Sequence, residues 1–479
     1  MATRVPATNG LNPELDILLL IPWFGIGLTG GRFATLGAEF PFSIAMLMTN
    51  LENHGFRVEM LDTNLEREPL QAVERAVRRL RPKIVGITSY SATIANAEKM
   101  ALQIKQVDDS IPVILGGFHA TAEPEQCLEF FEGFDYVVHG EGEFASVDLL
   151  TRLLNHEPLD DTPNLAWRDN GQIRINPQGA IIEDLDLLPF PDIDRAGSRR
   201  YEPTPPNYYS LPTVGIMASR GCPFKCTFCA THFQWNKIVR RMSRGLLVDW
   251  LEKFVTDWGI RDFRFFDDTF TVPRKDAVVF CEEVLRRGLN IHWNCYSRVD
   301  TIDTELARLM KRAGCYHVKF GIEAGTQKSL DLIRKNITLE RARQAIHEVS
   351  QVGMETKASF ILGIHDETLD QSQATVDFAL SLDLDYATFS IMMIFPGSED
   401  YAQWKAAGRI PEGFRWDQPI YSSPHDLEIL RKMLKDAYRR FYTRPRFAKG
   451  MASRLLRDPV CQFNRVTHLA KHLIKPAVA

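Results

Sequence analysis

Short apolar runs alternate with helix-patterned segments along most of this chain, in two separate series. The first series has its runs at residues 16–21, 58–62, 84–88, 113–117 and 136–138. The first, a short apolar run bounded by Pro22, reads as a buried parallel strand, and the others read as the strands that follow it. Between them, 42–55 ends at a glycine, 70–80 is amphipathic, and a further segment runs through Ile104; these read as helices. Such alternation predicts an α/β fold, a doubly wound Rossmann-like domain with its ligand at the carboxyl ends of the strands. The second series has runs at 214–219, 263–266, 291–295, 317–322, 356–361 and 386–390. Six strands with helices between them predict a partial (β/α)6 barrel, whose active site also gathers at the strand carboxyl ends.

At 479 residues the chain has room for two to four domains. A net charge of −4 gives no global case for nucleic-acid binding. The N-terminus lacks the apolar core of a secretion signal. The longest apolar run, about 17–28, contains Pro and Gly and is too short to span a bilayer. The expected location is cytoplasmic. Charge is uneven, however: from Arg431 to the end, thirteen Lys/Arg face two Asp/Glu. Such a tail suits a solvated helical cap, peripheral contact with anionic lipid headgroups, or an acidic substrate or electron donor.

Three of the eight cysteines cluster, as Cys222-x3-Cys226-x2-Cys229, with Phe228 just before the last. Three thiolates are one short of a closed cage. A [4Fe–4S] cluster held by three cysteines keeps one iron open to a substrate. A structural zinc site completed by His232 fits the same spacing. A disulfide suits a reducing compartment poorly. Cys127, Cys281, Cys295, Cys315 and Cys461 read as small buried apolar residues.

The triplet resembles the signature of the radical S-adenosylmethionine (SAM) superfamily. That resemblance implies a [4Fe–4S] cluster whose open iron chelates SAM and cleaves it to methionine and a 5′-deoxyadenosyl radical. It also implies roles at later strand ends. Asp267 and Asp268 stand where the family contacts the SAM ammonium. Ser297 and Arg298 stand where the SAM carboxylate would pair, and Glu323 where the ribose hydroxyls would bind. Phe228 would lie against the adenine. The segment Gly363-Ile364-His365-Asp366-Glu367-Thr368 departs from the family's usual Gly-Leu-Pro-Gly-Glu-Thr, and Phe395-Pro396-Gly397-Ser398 resembles its closing turn.

In the N-terminal third, Gly25-Ile26-Gly27-Leu28-Thr29-Gly30 matches a dinucleotide fingerprint after the first strand. Its helix starts about a dozen residues too late, near Pro41, which argues against that use. Gly116-Gly117-Phe118-His119 and Gly140-Glu141-Gly142-Glu143 instead resemble elements of a cobalamin-binding domain. Ser89, Tyr90, Gly116, Gly117, His119, Gly140 and Glu141 are the cobalamin contacts this implies. Many such domains carry a cobalt-ligating histidine where this chain has Asn64, a poor cobalt ligand. A corrinoid with its own base displaced and no protein histidine beneath cobalt is therefore expected.

The resemblance covers about 14–400. It divides the chain into a cobalamin domain (14–150), a linker with a hairpin at 164–176 (151–205), a radical SAM domain (206–400) and a basic helical C-terminal region (401–479). It implies a methyltransferase that moves methyl from methylcobalamin to an unactivated carbon after hydrogen abstraction. A non-methylating cyclase or oxidase is the alternative. A zinc-stabilised α/β binding protein remains a reading from a different class. The implied partners are a small-molecule substrate (natural product, lipid or tetrapyrrole) and a flavodoxin- or ferredoxin-type electron donor.

Overall fold

A computed structural model of the chain describes residues 15–24, 37–235, 238–459, 461–463 and 465–467. The Gly25–Gly30 motif lies outside the described residues. The chain forms two units, one built from residues 1–25 and 47–179, the other from 26–46 and 180–479.

The first unit holds the expected parallel strands, β1 (Ile17–Ile21), β2 (Val58–Asp62), β3 (Ile84–Ser89), β4 (Val113–Gly117) and β5 (Tyr136–Val138). Every residue of β1 is buried, and so are Val85, Ile87, Val113, Leu115 and Val137. That two-faced burial is why these runs lack polar alternation. Helix Pro69–Leu80 turns Ala72, Val73, Ala76 and Val77 inward, an i, i+1, i+4, i+5 stripe, and keeps its charges outside.

The sheet order is β2-β1-β3-β4-β5-β6-β7. Strand order reverses between β1 and β3, so the ligand crevice of a doubly wound sheet falls at their carboxyl ends. The last two strands, β6 (Leu165–Asp169) and β7 (Gln172–Ile175), correct the expected domain division. Their hairpin turns at Asn170-Gly171 as expected, but it is no linker. β6 pairs antiparallel with β5, in the register Tyr136↔Trp167, and buries Leu165, Ala166 and Trp167. The first unit therefore continues to Gly179.

The second unit contains β8 (Thr213–Ile216), β9 (Ser219–Arg220), β10 (Arg240–Arg241), β11 (Asp262–Phe265), β12 (His292–Ser297), β13 (Cys315–Glu323), β14 (Glu355–Leu362) and β15 (Tyr386–Ile391). The two-residue β16 (Met393–Ile394) and β17 (Ile420–Tyr421) follow. Strands β8, β11, β12, β13, β14 and β15 form one parallel sheet in chain order, with β8 and β15 at its two edges. This is the expected open six-stranded β/α barrel. One face of each strand packs on helices, through buried residues such as Phe265, Trp293, Val318, Phe320 and Phe360. The alternate face carries Arg264, Asn294, Tyr296, His317, Lys319 and Lys357 and lines the lumen.

The C-terminal helices Leu427–Thr443 and Pro445–Arg457 close the β15 side. Tyr438 Oη accepts from Phe389 N at 3.1 Å and donates to Phe389 O at 3.0 Å. Tyr442 Oη does the same for Ala387, at 3.3 and 2.8 Å. Two tyrosines one helical turn apart thus satisfy the unpaired backbone groups of an edge strand. Part of the basic excess is paired within the protein, with Arg454 and Arg465 buried. Arg440 pairs with Asp377, Arg446 with Asp383, Arg454 with Asp385 and Arg465 with Glu355. Arg444 caps the carbonyls of Leu380, Leu382 and Leu384. Among the described residues no helix is long and apolar enough to cross a membrane.

Candidate active site

The cysteine loop leaves β9 through Gly221, whose φ of +95° and closeness to the Ile238 carbonyl leave no room for a Cβ. Thr227 pins the loop from within. Its amide donates to Ile333 O at 3.2 Å, its carbonyl accepts from Asp400 N at 3.1 Å, and its hydroxyl reaches Asp400 Oδ2 at 3.1 Å. Cys229 N closes a turn onto Cys226 O at 3.2 Å. Cys222, Cys226 and Cys229 are unpaired and partly accessible, whereas the other five cysteines are buried.

Burial pushes the Cys226 thiol up, while Lys335 and Arg298 beside it pull it down; Cys229 and Glu323 are also near enough to act. Cys222 lies 3.8 Å from Thr269 Oγ1 and feels Asp268 and Cys229. Residues from the ends of β11, β12 and β13 thus converge on the cysteines. Nearby cations favour thiolates, the form an iron ligand needs.

The zinc reading fits poorly. His232, its fourth ligand, donates Nε2–H to the Phe224 carbonyl. Among the described residues no three His, Cys, Asp or Glu side chains approach closely enough to hold one metal ion. A cubane places each thiolate on a different iron and asks for wider spacing than a single zinc with Zn–S bonds of about 2.3 Å.

The residues expected around SAM divide into two groups. Asp268 is exposed, accepts from Thr231 Oγ1 at 3.2 Å, and is pushed up to about 6, chiefly by desolvation. Phe228 is half-buried on the loop itself. Glu323 is buried at the end of β13, where its carboxylate meets Lys335 Nζ at 3.0 Å. Arg298 is buried, forks onto Asp300 at 2.9 and 3.0 Å, donates to Lys335 O at 2.9 Å and stacks 3.6 Å from the centre of the Phe224 ring. Asp267 and Ser297 differ from expectation. Asp267 is fully buried and accepts from Ala218 N at 3.2 Å and from the Ser219 hydroxyl, so its carboxylate anchors β9 instead of facing a ligand. The Ser297 hydroxyl sits 2.8 Å from Thr271 Oγ1 and 3.4 Å from Thr301 Oγ1, inside the wall.

Lys335, Phe224 and the Thr227–Asp400 tie escaped the sequence reading. Lys335 lies in a loop with no periodicity. Its one signal is a lysine flanked at two residues by Ile333 and Ile337, where an exposed loop would be polar.

In the first unit, Ser89, Tyr90, Gly116, Gly117, His119, Gly140 and Glu141 all follow or end β3, β4 and β5. Tyr90 stacks on Phe118 with ring centres 5.3 Å apart and lies 6.1 Å from Phe24, so an exposed aromatic group bridges the β1–β3 crevice. A Cβ at Gly116 would have no neighbour nearer than Val138 O at 3.9 Å, leaving open space at the strand end. Gly117 has a φ of +95°, and a Cβ there would stand 2.6 Å from Ser89 O. Ser89 Oγ donates to Gly116 O at 2.9 Å. His119 is buried, 3.0 Å from Ser91 Oγ, and burial lowers its imidazole to about 4. Gly140 N donates to Thr121 Oγ1 at 3.0 Å, and Glu141 is buried. Asn64 uses its side chain on the protein. It donates to Pro22 O at 3.2 Å and Asp62 Oδ1 at 2.8 Å and accepts from Phe24 N at 3.0 Å. It holds the ends of β1 and β2 together and offers no metal donor. An aromatic shelf beside glycine-opened backbone fits a large flat corrinoid; the three accessible thiols, with Lys335 and Arg298 beside Cys226, fit an iron–sulfur cluster.

Two families match the chain, the B12 binding domain over residues 34–150 and the radical SAM superfamily over 216–379. An uncharacterized methyltransferase of Pyrococcus horikoshii is 31% identical over 413 residues, 85% of this chain and 88% of that protein. The chain belongs to the cobalamin-dependent radical SAM enzymes. The anaerobic magnesium-protoporphyrin IX monomethyl ester cyclase of Rubrivivax gelatinosus is another relative of this radical SAM enzyme, 30% identical over 394 residues, 78% of this chain and 68% of that one. Its fold is shared with the cobalamin-dependent SAM radical enzyme OxsB, at a TM-score of 0.71 and 16% identity over 94% of this chain and 72% of that one. It is shared also with the radical SAM methyltransferase TsrM of Kitasatospora setae, solved with cobalamin and a [4Fe–4S] cluster, at a TM-score of 0.65 and 20% identity over 81% and 74%. Radical SAM enzymes of this branch work with three cofactors, the cluster, SAM and cobalamin.

Proposed function

We propose that this enzyme is a methyltransferase acting on an unactivated carbon of a small molecule. The likeness to a methyltransferase along 85% of the chain supports this reading more than any other observation. When bound, the cluster supplies the electron that cleaves SAM, and cobalamin carries the methyl group.

The protein's part is to hold and orient. Cys222, Cys226 and Cys229 are our cluster ligands. Asp268, exposed beside them, is placed to receive the SAM ammonium. The Arg298 guanidinium keeps positive charge beside Cys226, on the carboxylate side. Glu323 is our ribose acceptor, oriented by Lys335. Phe228 is our adenine contact. Tyr90, Phe118 and the open backbone at Gly116 are our corrinoid platform. The reductant is a flavodoxin- or ferredoxin-type protein of a reducing cytoplasm. Relatives named for a porphyrin, for hopanoids and for a cytidylyl phosphonate support a substrate among natural products, lipids or tetrapyrroles.

The test is anaerobic reconstitution with iron, sulfide and hydroxocobalamin, then incubation with SAM and a strong reductant. 5′-Deoxyadenosine together with S-adenosylhomocysteine supports the methyltransferase. 5′-Deoxyadenosine without S-adenosylhomocysteine favours a cyclase-type oxidation, the reading suggested by the Rubrivivax relative. Neither product, in protein with an intact cluster, sinks both. Cys226→Ala is the negative control.

A further inference from the structure

The lumen of the barrel carries positive charge that the protein does not balance. Lys319 on β13 and Lys357 on β14 are register partners on adjacent parallel strands. Their neighbours Val318, Phe320, Ala358 and Phe360 are buried against helices, so both lysines face the lumen. Like charges directly opposite each other on neighbouring strands repel. Lys319 is only 4% exposed, and among the described residues no carboxylate comes within ion-pair distance of its ammonium: Asp262 acts on it only from farther away, and the Tyr296 ring lies at 4.9 Å. Lys357 likewise has none within that distance.

Below them the layer is equally unsatisfied. Arg264 on β11 is 1% exposed; it pairs with Glu39 through Nη1, but its Nε and Nη2 have no acceptor. His317, in register with Asn294 and Glu355, is fully buried with no hydrogen-bond partner at either ring nitrogen. Of the nearby carboxylates, Glu39 is held by Arg264 and Glu355 by Arg465 and Gln462, while the fully buried Asp262 accepts from the Tyr209 and Ser210 amides through Oδ2 and pairs with neither lysine. Buried donors without acceptors are costly, and natural proteins retain them where a ligand supplies the acceptor. At the level of the lysines the lumen is reached from outside: Tyr296, register partner of Lys319, is 39% exposed.

We propose that the substrate carries an anionic group, a carboxylate or a phosphoryl, which enters the lumen and is held between Lys319 and Lys357, with Arg264 and His317 as donors beneath. This rests on the reading of the barrel as a radical SAM substrate chamber. Lys319 precedes Glu323 by four residues on one strand, so the anion site lies about 13 Å below the ribose acceptor. That spacing holds the far end of a small molecule down while its reacting carbon stays near SAM.

The experiment is equilibrium dialysis of labelled inorganic phosphate, and separately of labelled succinate, against the full reconstituted chain. It needs no turnover, so it can fail while the methyltransferase assay succeeds, and the reverse. Saturable binding of either anion is expected, weakened at least about tenfold in Lys319→Met and Lys357→Met. Lys319→Arg and Lys357→Arg should retain it, as should the exposed Lys432→Met. Iron and cobalamin content would show that each variant has folded. Phosphate alone would indicate a phosphoryl substrate and succinate alone a carboxylate. No saturable binding of either, or binding that survives both Met variants, would overturn the proposal.

Discussion

Lys335 Nζ stands 3.0 Å from Glu323 Oε1, with both side chains buried at the carboxyl end of β13. Glu323 reaches it from a left-handed backbone, φ +76°, next to a register shift between β13 and β14. A non-glycine residue there stores strain, which folds tolerate where geometry matters to function.

Removing one partner of this pair leaves a buried charge alone. We expect Lys335→Met to cost about 3–5 kcal/mol and to weaken SAM binding at least tenfold (roughly 1.4 kcal/mol or more). Lys335→Met combined with Glu323→Gln should recover much of the stability but not the SAM affinity. Thermal melts and calorimetric titration with SAM check both halves; equal stability of the single and double variants would refute the account.

The two adjacent glycines of β4 should behave differently. Gly117→Ala forces a Cβ to within 2.6 Å of Ser89 O at a φ of +95°, and should destabilise the first unit by a few kcal/mol (~1–3 kcal/mol for the backbone alone). Gly116→Val enters open space and should leave the melting temperature nearly unchanged while lowering cobalamin content. The ratio of cobalamin to protein after reconstitution, read beside the melt, separates these effects.

Lys319 gives a pH signature with a definite sign. Burial first, then Arg264 and Lys357, lowers its ammonium to about 7, while Cys295 and Asp262 act weakly the other way. The unfolded chain therefore holds an extra proton between pH 7 and the ordinary lysine value of 10.5. Stability from this group rises with pH across that window, and below 7 its full cost is felt. Lys319→Met should flatten that rise and raise the melting temperature at pH 6, with a gain on the order of a few kcal/mol. Melts from pH 6 to about 10 in an anion-poor buffer test it. An unchanged pH slope would mean that the lysine is not desolvated as described.

Tyr442→Phe deletes the hydroxyl that serves both backbone groups of Ala387. The expected cost is about 1–3 kcal/mol for the groups left unsatisfied, with faster amide exchange at Ala387. Hydrogen exchange read by mass spectrometry would show it; exchange as slow as in the parent would mean that another group covers the edge.

The fold was legible where burial leaves a compositional trace. The parallel strands of the first unit are largely apolar runs because both faces of their sheet are covered, those of the barrel alternate apolar residues with lumen-facing polar ones, and every one was found. The 164–176 hairpin was seen but misplaced. Its turn is a local signal, whereas its pairing with β5 depends on a contact distant in sequence. At the site, the three cysteines announce themselves by spacing. Asp267 and Asp268 cannot be told apart in sequence, yet successive residues face opposite ways, and only Asp268 stays open to a ligand. Lys335 and Lys319 draw their importance from what lies across the barrel, which sequence proximity does not record. Asn64 is the reverse case: the missing histidine was visible, but not that its replacement ties two strand ends together.

The tyrosine pair on β15 has a meaning beyond local satisfaction. A bare parallel edge is a template onto which another polypeptide can zip. Here the outward-facing amides and carbonyls of Ala387 and Phe389 are already occupied by hydroxyls from the same chain, so a neighbouring copy finds nothing to extend. The sheet can end at β15 without a further strand and without the usual risk of growing into a fibre from that edge.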